Sequence, residues 1–439
     1  MLNRSRLREP TALLTHLVKW GVLGALVGVL SGLSSAGFLF TLDRATELRG
    51  DHPWLLFLLP LAGLVIGLGY HYIGRTSAAG NTLILDEIHE ARGWVPKRMA
   101  AMVYVGTVVT HLFGGSAGRE GTALQMAGSL TDMASRLLRL DRDDRRIMLI
   151  AALAGGFGAV FGVPVAGCVF GLEVQAVGRL RYHALVSALT ASLVGDLVVR
   201  ATGVHHTATP DLGPIDVTAP LLAKVAVAGL AFGLAALVFT ELTHGIRRMF
   251  AARVGWPPLR PVIGGVAVIG LTYLVGTRDY NGLSLPLVAR SLAGGAGVVA
   301  FAFALKLLFT AVTIGSGFQG GEVTPLFVIG ATLGATLAPL VGVPVEVMAS
   351  VGFVAVFAGA ANVPLACAVM GAELFGADGF VLYAVASFVS YVISSDRGIY
   401  ASPRRIADET ADDAAGPALW TPWHRDPRRT STSKRSGDR

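Results

Sequence analysis

GREGTALQMAGSL (Gly118–Leu130) and GGEVTPLFVIGAT (Gly320–Thr332) are one pattern written twice. Glu120 aligns with Glu322, Thr122 with Thr324, Leu124 with Leu326 and Gly128 with Gly330. The match resumes downstream, where FGVPVAGCVFGLEV (Phe161–Val174) lies against AANVPLACAVMGAEL (Ala360–Leu374), pairing Pro164 with Pro364, Ala166 with Ala366 and Glu173 with Glu373. Two blocks in the same order at nearly constant separation point to a duplicated architecture, with repeats at about residues 20–200 and 220–400. Membrane transporters are commonly built this way, with the site held between the repeats near the bilayer midplane.

The composition places those repeats in lipid. Of 439 residues, 53% are hydrophobic and only 15% charged, against about a quarter charged in soluble domains. Trp20–Leu42, Ile147–Leu172, Val323–Val345 and Val347–Ala372 contain no Asp, Glu, Lys or Arg. Each is long enough for a ~30 Å hydrocarbon core, which takes roughly 20 helical residues. The expected fold is an all-α polytopic membrane protein, a single transport domain over residues 1–400. A polar tail, 401–439, is expected to be disordered and cytoplasmic. The 55 glycines sit largely inside the apolar runs, where they let helices approach closely or break them where backbone lines a cavity.

The net charge of +7 is no sign of nucleic acid. Arg4, Arg6 and Arg8 precede the first span, and Arg425, Arg428, Arg429, Lys434, Arg435 and Arg439 decorate the tail. The positive-inside rule puts both termini in the cytoplasm. The first apolar run is too long for a cleaved signal and lacks a cleavage-type boundary. Cys168 and Cys367 lie in apolar runs, so neither a disulfide framework, a metal site nor a cofactor is expected.

Three glycine-rich turns stand before helical runs. Glu120 lies among Gly114, Gly115, Gly118 and Gly121. Such a turn offers unsatisfied N–H groups at a helix start to an anion; a glutamate there can fill the anion's place and leave it when protonated. Intramembrane carboxylates are functional by default; the blander alternative is a helix cap paired with Arg119. Ser77–Asn81 (SAAGN) is a weaker turn of this kind, readable as an ordinary N-cap. Gly317–Pro325 carries Glu322 and Thr324 to the third. Gly114–Gly118 also fits G-x-S-x-G, so an intramembrane serine hydrolase with Ser116 as nucleophile and His111 nearby is a distant alternative. Asp86, Glu87, His89, Glu90 and Arg92 read as a solvated helix end, Arg139–Arg146 as a charged loop, and Glu173 and Glu373 as ion-pair or capping residues.

GGSAGREGTALQ, GGEVTPLFVIGATLG, FGVPVAG with its closing Glu173, and Tyr400 in GIYASP together resemble the CLC family of anion channels and anion/proton antiporters, over roughly Val22 to Pro403. The resemblance implies two inverted-topology repeats of tilted and broken helices, and a homodimer in a bacterial inner membrane. It implies a gating, proton-carrying role for Glu120, and anion binding by Ala79, Gly80, Asn81, Gly118, Arg119, Gly121, Thr122, Val323, Thr324 and Tyr400. Departures from the chloride members narrow the reading. Ala79, Gly80, Asn81 and Thr82 replace their serine-containing first turn, Thr122 ends the GREG motif, and Glu322 and Thr324 occupy a turn that is mostly apolar there. Val174 stands beside Glu173, where proton-coupled chloride members often have a second glutamate. The combination is similar to the fluoride/proton antiporter branch, although members of that branch often carry methionine at the position of Ala79. Fluoride is small and strongly hydrated, so hard donors such as amide and hydroxyl suit it. The implied cargo is fluoride exchanged for protons, with Glu322 as a second proton-capable carboxylate. Chloride, by exchange or through a channel, is the alternative within the family.

Overall fold

The computed structural model describes residues 4–91, 93–175, 180–394 and 397–400, with side chains from residue 14 onward. The tail at 401–439, Arg92 and the side chains of Arg4, Arg6 and Arg8 lie outside that set. Sixteen α-helices among the described residues fall into two halves. The first holds α1 (Arg4–Asp51), α2 (Leu59–Leu68), α3 (Asn81–His89), α4 (Arg98–Leu112), α5 (Glu120–Leu137), α6 (Arg142–Phe161), α7 (Pro164–Glu173) and α8 (Leu185–Ala201). The second holds α9 (Ala219–Arg253), α10 (Leu259–Val275), α11 (Leu285–Leu292), α12 (Ala302–Ser316), α13 (Val323–Val341), α14 (Val345–Ala361), α15 (Pro364–Phe375) and α16 (Phe380–Ser394). Packing follows the duplication: α1 lies on α8 as α9 lies on α16, and α5–α6–α7 stack as α13–α14–α15 do.

Six helical segments are long and apolar enough to cross a membrane, among the described residues. Val227, Leu230, Leu234 and Val238 run along α9 at helical spacing and are exposed, the pattern of a face whose solvent is lipid. Several other helices, α7, α11 and α15 among them, are too short to span. Helix α7 has 10 residues, about 15 Å at 1.5 Å per residue. Two of the four uncharged runs are therefore broken. Ile147–Leu172 breaks at Gly162 (φ 73°) and Val347–Ala372 at Asn362 (φ 59°). Each left-handed residue ends one helix, and a proline two positions on, Pro164 or Pro364, opens the next at its first turn. That is the expected use of Gly or Asn as a C-terminal stop and of Pro as a start.

The two short helices after these breaks are capped across the repeats. The Glu373 carboxylate accepts from Val165 N (3.0 Å) and Ala166 N (2.7 Å) at the start of α7. Glu173 does the same for Leu365 N (3.0 Å) and Ala366 N (2.8 Å) at the start of α15. Both glutamates are caps, each for the other repeat's helix.

The expectation of a solvated end does not hold at Glu87, and the charged loop expected over Arg139–Arg146 ends at Asp141, because α6 starts at Arg142. Arg145 lies within α6 and is buried together with Glu87 and Asp132. Its Nε is 2.5 Å from Asp132 Oδ1, its Nη1 is 3.0 Å from Glu87 Oε2, and Trp94 stacks on the guanidinium at 4.6 Å. The carboxylates also accept backbone N–H groups, Glu87 from Gly93 and Asp132 from Val95. Sequence periodicity could not reveal this, because the three residues come from three helices. Arg145→Met should leave two buried carboxylates uncompensated and cost about 3–5 kcal/mol, read as a lower melting temperature of the detergent-solubilised protein.

Candidate functional site

The two glycine-rich turns meet back to back. Gly118 and Gly321 form an antiparallel bridge, with Gly118 N donating to Gly321 O (2.6 Å) and Gly321 N to Gly118 O (2.8 Å). A Cβ on Gly321 would stand 2.8 Å from Gly121 N and 3.0 Å from Glu120 N, so backbone meets backbone with no room for a side chain. This crossing brings the N-termini of α5 and α13 together from opposite repeats.

Glu120 opens α5, but its carboxylate serves α13. Oε2 accepts from Thr324 N (3.0 Å) and from Arg119 N (3.1 Å), and Oε1 accepts from the Thr324 hydroxyl. Arg119 Nε lies 3.7 Å from Oε1. The side chain is fully buried. A carboxylate thus occupies the position at a helix N-terminus where free N–H groups and the dipole favour an anion.

Cavities approach this partition from both sides. A cavity of about 510 Å³ is lined by Ala79, Gly80, Asn81 and Gly121, and by Glu322, Val323 and Tyr400. Arg75, Arg247 and Arg260 also line it. A second cavity, of about 280 Å³, reaches Arg119, Glu120 and Thr324. Glu120 and Glu322 therefore face different cavities, although each stands at a matched turn. The Asn81 amide points at the crossing: a Cβ on Gly121 would come within 3.3 Å of its nitrogen. Asn81 Oδ1 and Tyr400 Oη are buried polar atoms without a hydrogen-bond partner among the described residues. Such atoms beside a cavity are unspent capacity for a polar guest.

One expected site residue is turned away. The Thr122 hydroxyl is 2.6 Å from that of Thr107 on α4, and Thr122 lines neither cavity. Gly118 contributes through the bridge alone. The hydrolase alternative fails on geometry. Ser116 Oγ is buried and lies 2.9 Å from both Thr310 Oγ1 and Lys306 Nζ, while both ring nitrogens of His111 face backbone carbonyls, of Thr107 and Ala117. No histidine is aimed at the serine, and Ser116 lines neither cavity, so no substrate reaches it.

Sequence reasoning missed two contributors. Gln125 lines the larger cavity beside Gly80, and its position four residues after Gly121 on a helix would have given it away. The connection between repeats, at Thr207–Pro210, covers the smaller cavity and is tied down by Arg119 Nη2 to Thr207 Oγ1 (3.3 Å) and by Thr209 Oγ1 to Leu374 O (2.6 Å). No pattern in the sequence marks that segment.

Known proteins resemble this chain over most of its length. A protein of Pseudomonas syringae named chloride/fluoride channel protein is 45% identical over 411 residues, covering 92% of this chain and 90% of its own length. The crystal structure of a CLC-type fluoride/proton antiporter superposes with a TM-score of 0.85 at 33% identity, covering 88% of this chain and 98% of that one. The H(+)/Cl(-) exchange transporter ClcA of Yersinia pestis is 28% identical, with 80% of this chain and 79% of that protein covered. Residues 62–395 match the family described as voltage gated chloride channel, and the chain belongs to that family, the CLC anion transporters, which are not enzymes.

Proposed function

We propose that this transporter exports fluoride in exchange for protons. The observation that carries the reading is the Glu120 carboxylate seated on the N-terminus of α13, between Thr324 and Arg119. Ionised, it holds the anion's place and closes the path between the cavities. Protonated, it loses its charge-assisted bonds and gives up Thr324 N–H and O–H to an arriving anion. Those donors, with the Asn81 amide and the Tyr400 phenol along the way, are of the hard type that a strongly hydrated ion needs when water is stripped from it. Glu322 supplies a second proton-capable carboxylate on the side of the larger cavity, where Val174 offers none. Arg75, Arg247 and Arg260 line that cavity, and the positive-inside rule assigns it to the cytoplasm. The smaller cavity then faces outward. The positive-inside rule likewise puts both termini on the cytoplasmic side of a bacterial inner membrane. The resemblance to the family further implies a homodimer with a separate path in each copy.

Support also comes from the relatives, one named for chloride and fluoride and another titled a fluoride/proton antiporter. Chloride is the second reading. The relative named as an H(+)/Cl(-) exchanger favours it, and Ala79 leaves the larger cavity uncrowded where a bulky side chain would narrow it. Purified protein in liposomes, followed with fluoride, chloride and pH electrodes, separates the two. Fluoride efflux with simultaneous proton uptake, well above chloride efflux, is expected. Chloride flux without proton movement, with fluoride held back, overturns the proposal.

A further inference from the structure

Lys306 is a fully buried lysine inside α12, in a stretch that reads as apolar in sequence. Its ammonium sits in a cage of four oxygens: Gly282 O at 2.7 Å, Ser116 Oγ and Ser284 Oγ at 2.9 Å, and Tyr280 O at 3.3 Å. Among the described residues no carboxylate lies within ion-pair distance of it. Four oxygen neighbours suit an ammonium, which carries three donors and no acceptor, and an ionisable group at membrane depth calls for a functional reason.

The cage is the back wall of the turn that presents Glu120. Asn281 Nδ2 holds Gly114 O (2.8 Å), Gly282 N holds Gly115 O (3.1 Å), Thr313 Oγ1 accepts from Ser116 N (3.1 Å), and His111 meets Ala117 O (3.0 Å). The turn is thus gripped residue by residue from behind, and Lys306 reaches it through Ser116, four positions before Glu120. We propose that Lys306 is a positioning residue for Glu120: its buried positive charge fixes the glycine-rich turn and favours the ionised, seated carboxylate over the protonated, released one. Arg49 from α1 and His111 from α4 face Lys306, and Arg278 faces Arg49. Arg119 faces Glu120 from its own turn, and Tyr400 from beside the larger cavity. Arg49 and Arg119 act in the same direction as Lys306, and the Asp43 carboxylate facing Arg119 from α1 opposes them.

The inference rests on Glu120 as the proton-carrying gate and is independent of which halide is carried. Its test is the pH profile of anion efflux from liposomes, using the anion that the unsubstituted protein moves best. Removing a cation raises the pH at which a nearby carboxylate takes up its proton. Lys306→Met should shift the midpoint of the profile upward by about 0.5 unit or more. Ser284→Gly removes one hydroxyl from the cage, suits the left-handed backbone there (φ 61°) and keeps the charge, so its midpoint should stay in place. Combined with Glu120→Gln, Lys306→Met should shift nothing further. A Lys306→Met profile that superimposes on the unsubstituted one, or a shift that persists without Glu120, overturns the inference. If Lys306→Met does not fold, Lys306→Gln, which keeps donors for the Gly282 carbonyl, carries the same expectation; failure of both to fold assigns Lys306 to the scaffold alone and also overturns it. An unsubstituted protein that moves no protons at all defeats the proposed function instead.

Discussion

Glu120→Gln should move anions without moving protons. The amide keeps the length and shape of the carboxylate and can still accept from Thr324 N–H, so the fold and the crossing of α5 and α13 are retained. It cannot take up and release a proton, and it brings no negative charge to the N-terminus of α13. Hydrogen bonds to a charged group contribute about 1.5–3 kcal/mol, so weakening them shifts the balance between seated and released side chain by about tenfold or more. Anion efflux should continue and lose its pH dependence. Proton uptake measured in the same liposomes should fall to that of protein-free vesicles. A variant that still drives protons uphill against an anion gradient would show that the exchanged proton does not pass through Glu120.

Gly330→Ala should abolish the folded protein. Gly330 of α13 faces Gly352 of α14, and a Cβ added at 330 would land on the Gly352 carbonyl. Both partners are backbone, so neither can swing aside, and the two helices would have to separate along the length of their contact. Overpacking a tight core usually costs about 1–3 kcal/mol and occasionally more. A backbone-to-backbone clash belongs at or beyond the upper end. Size-exclusion chromatography of the solubilised protein should show loss of the monodisperse peak, or a strongly lowered melting temperature. Gly270→Ala is the control: it lies within α10, and a Cβ there would meet nothing. A normal elution profile for Gly330→Ala would mean that α13 and α14 are not packed this closely.

The repeat was legible because duplication leaves paired residues at a fixed separation, and here the pairs carry the structure: Glu120 and Glu322 at the crossing turns, Pro164 and Pro364 at the helix starts, Glu173 and Glu373 as caps. The lipid class was legible because long uncharged runs have few other uses. Lys306 was not, since a single lysine barely alters an apolar average. The ion cluster of Glu87, Asp132 and Arg145 was not, because a charged residue near a helix end looks solvated until its partners on other helices are known. Thr122 misled through its alignment with Thr324: equal positions in two repeats need not face the same way once one of them meets Thr107.

The sequence alone determined an all-helical membrane protein built from two repeats, with a carboxylate in each glycine-rich turn. Those are properties of composition, period and spacing, all carried along one chain. Tertiary structure alone decided that Glu120 seats on the helix of the other repeat, that Glu120 and Glu322 face different cavities, and that a buried lysine stands behind the turn. Each of these depends on which backbone lies against which. Here that is fixed at the Gly118–Gly321 crossing, where the absence of side chains lets two distant turns touch.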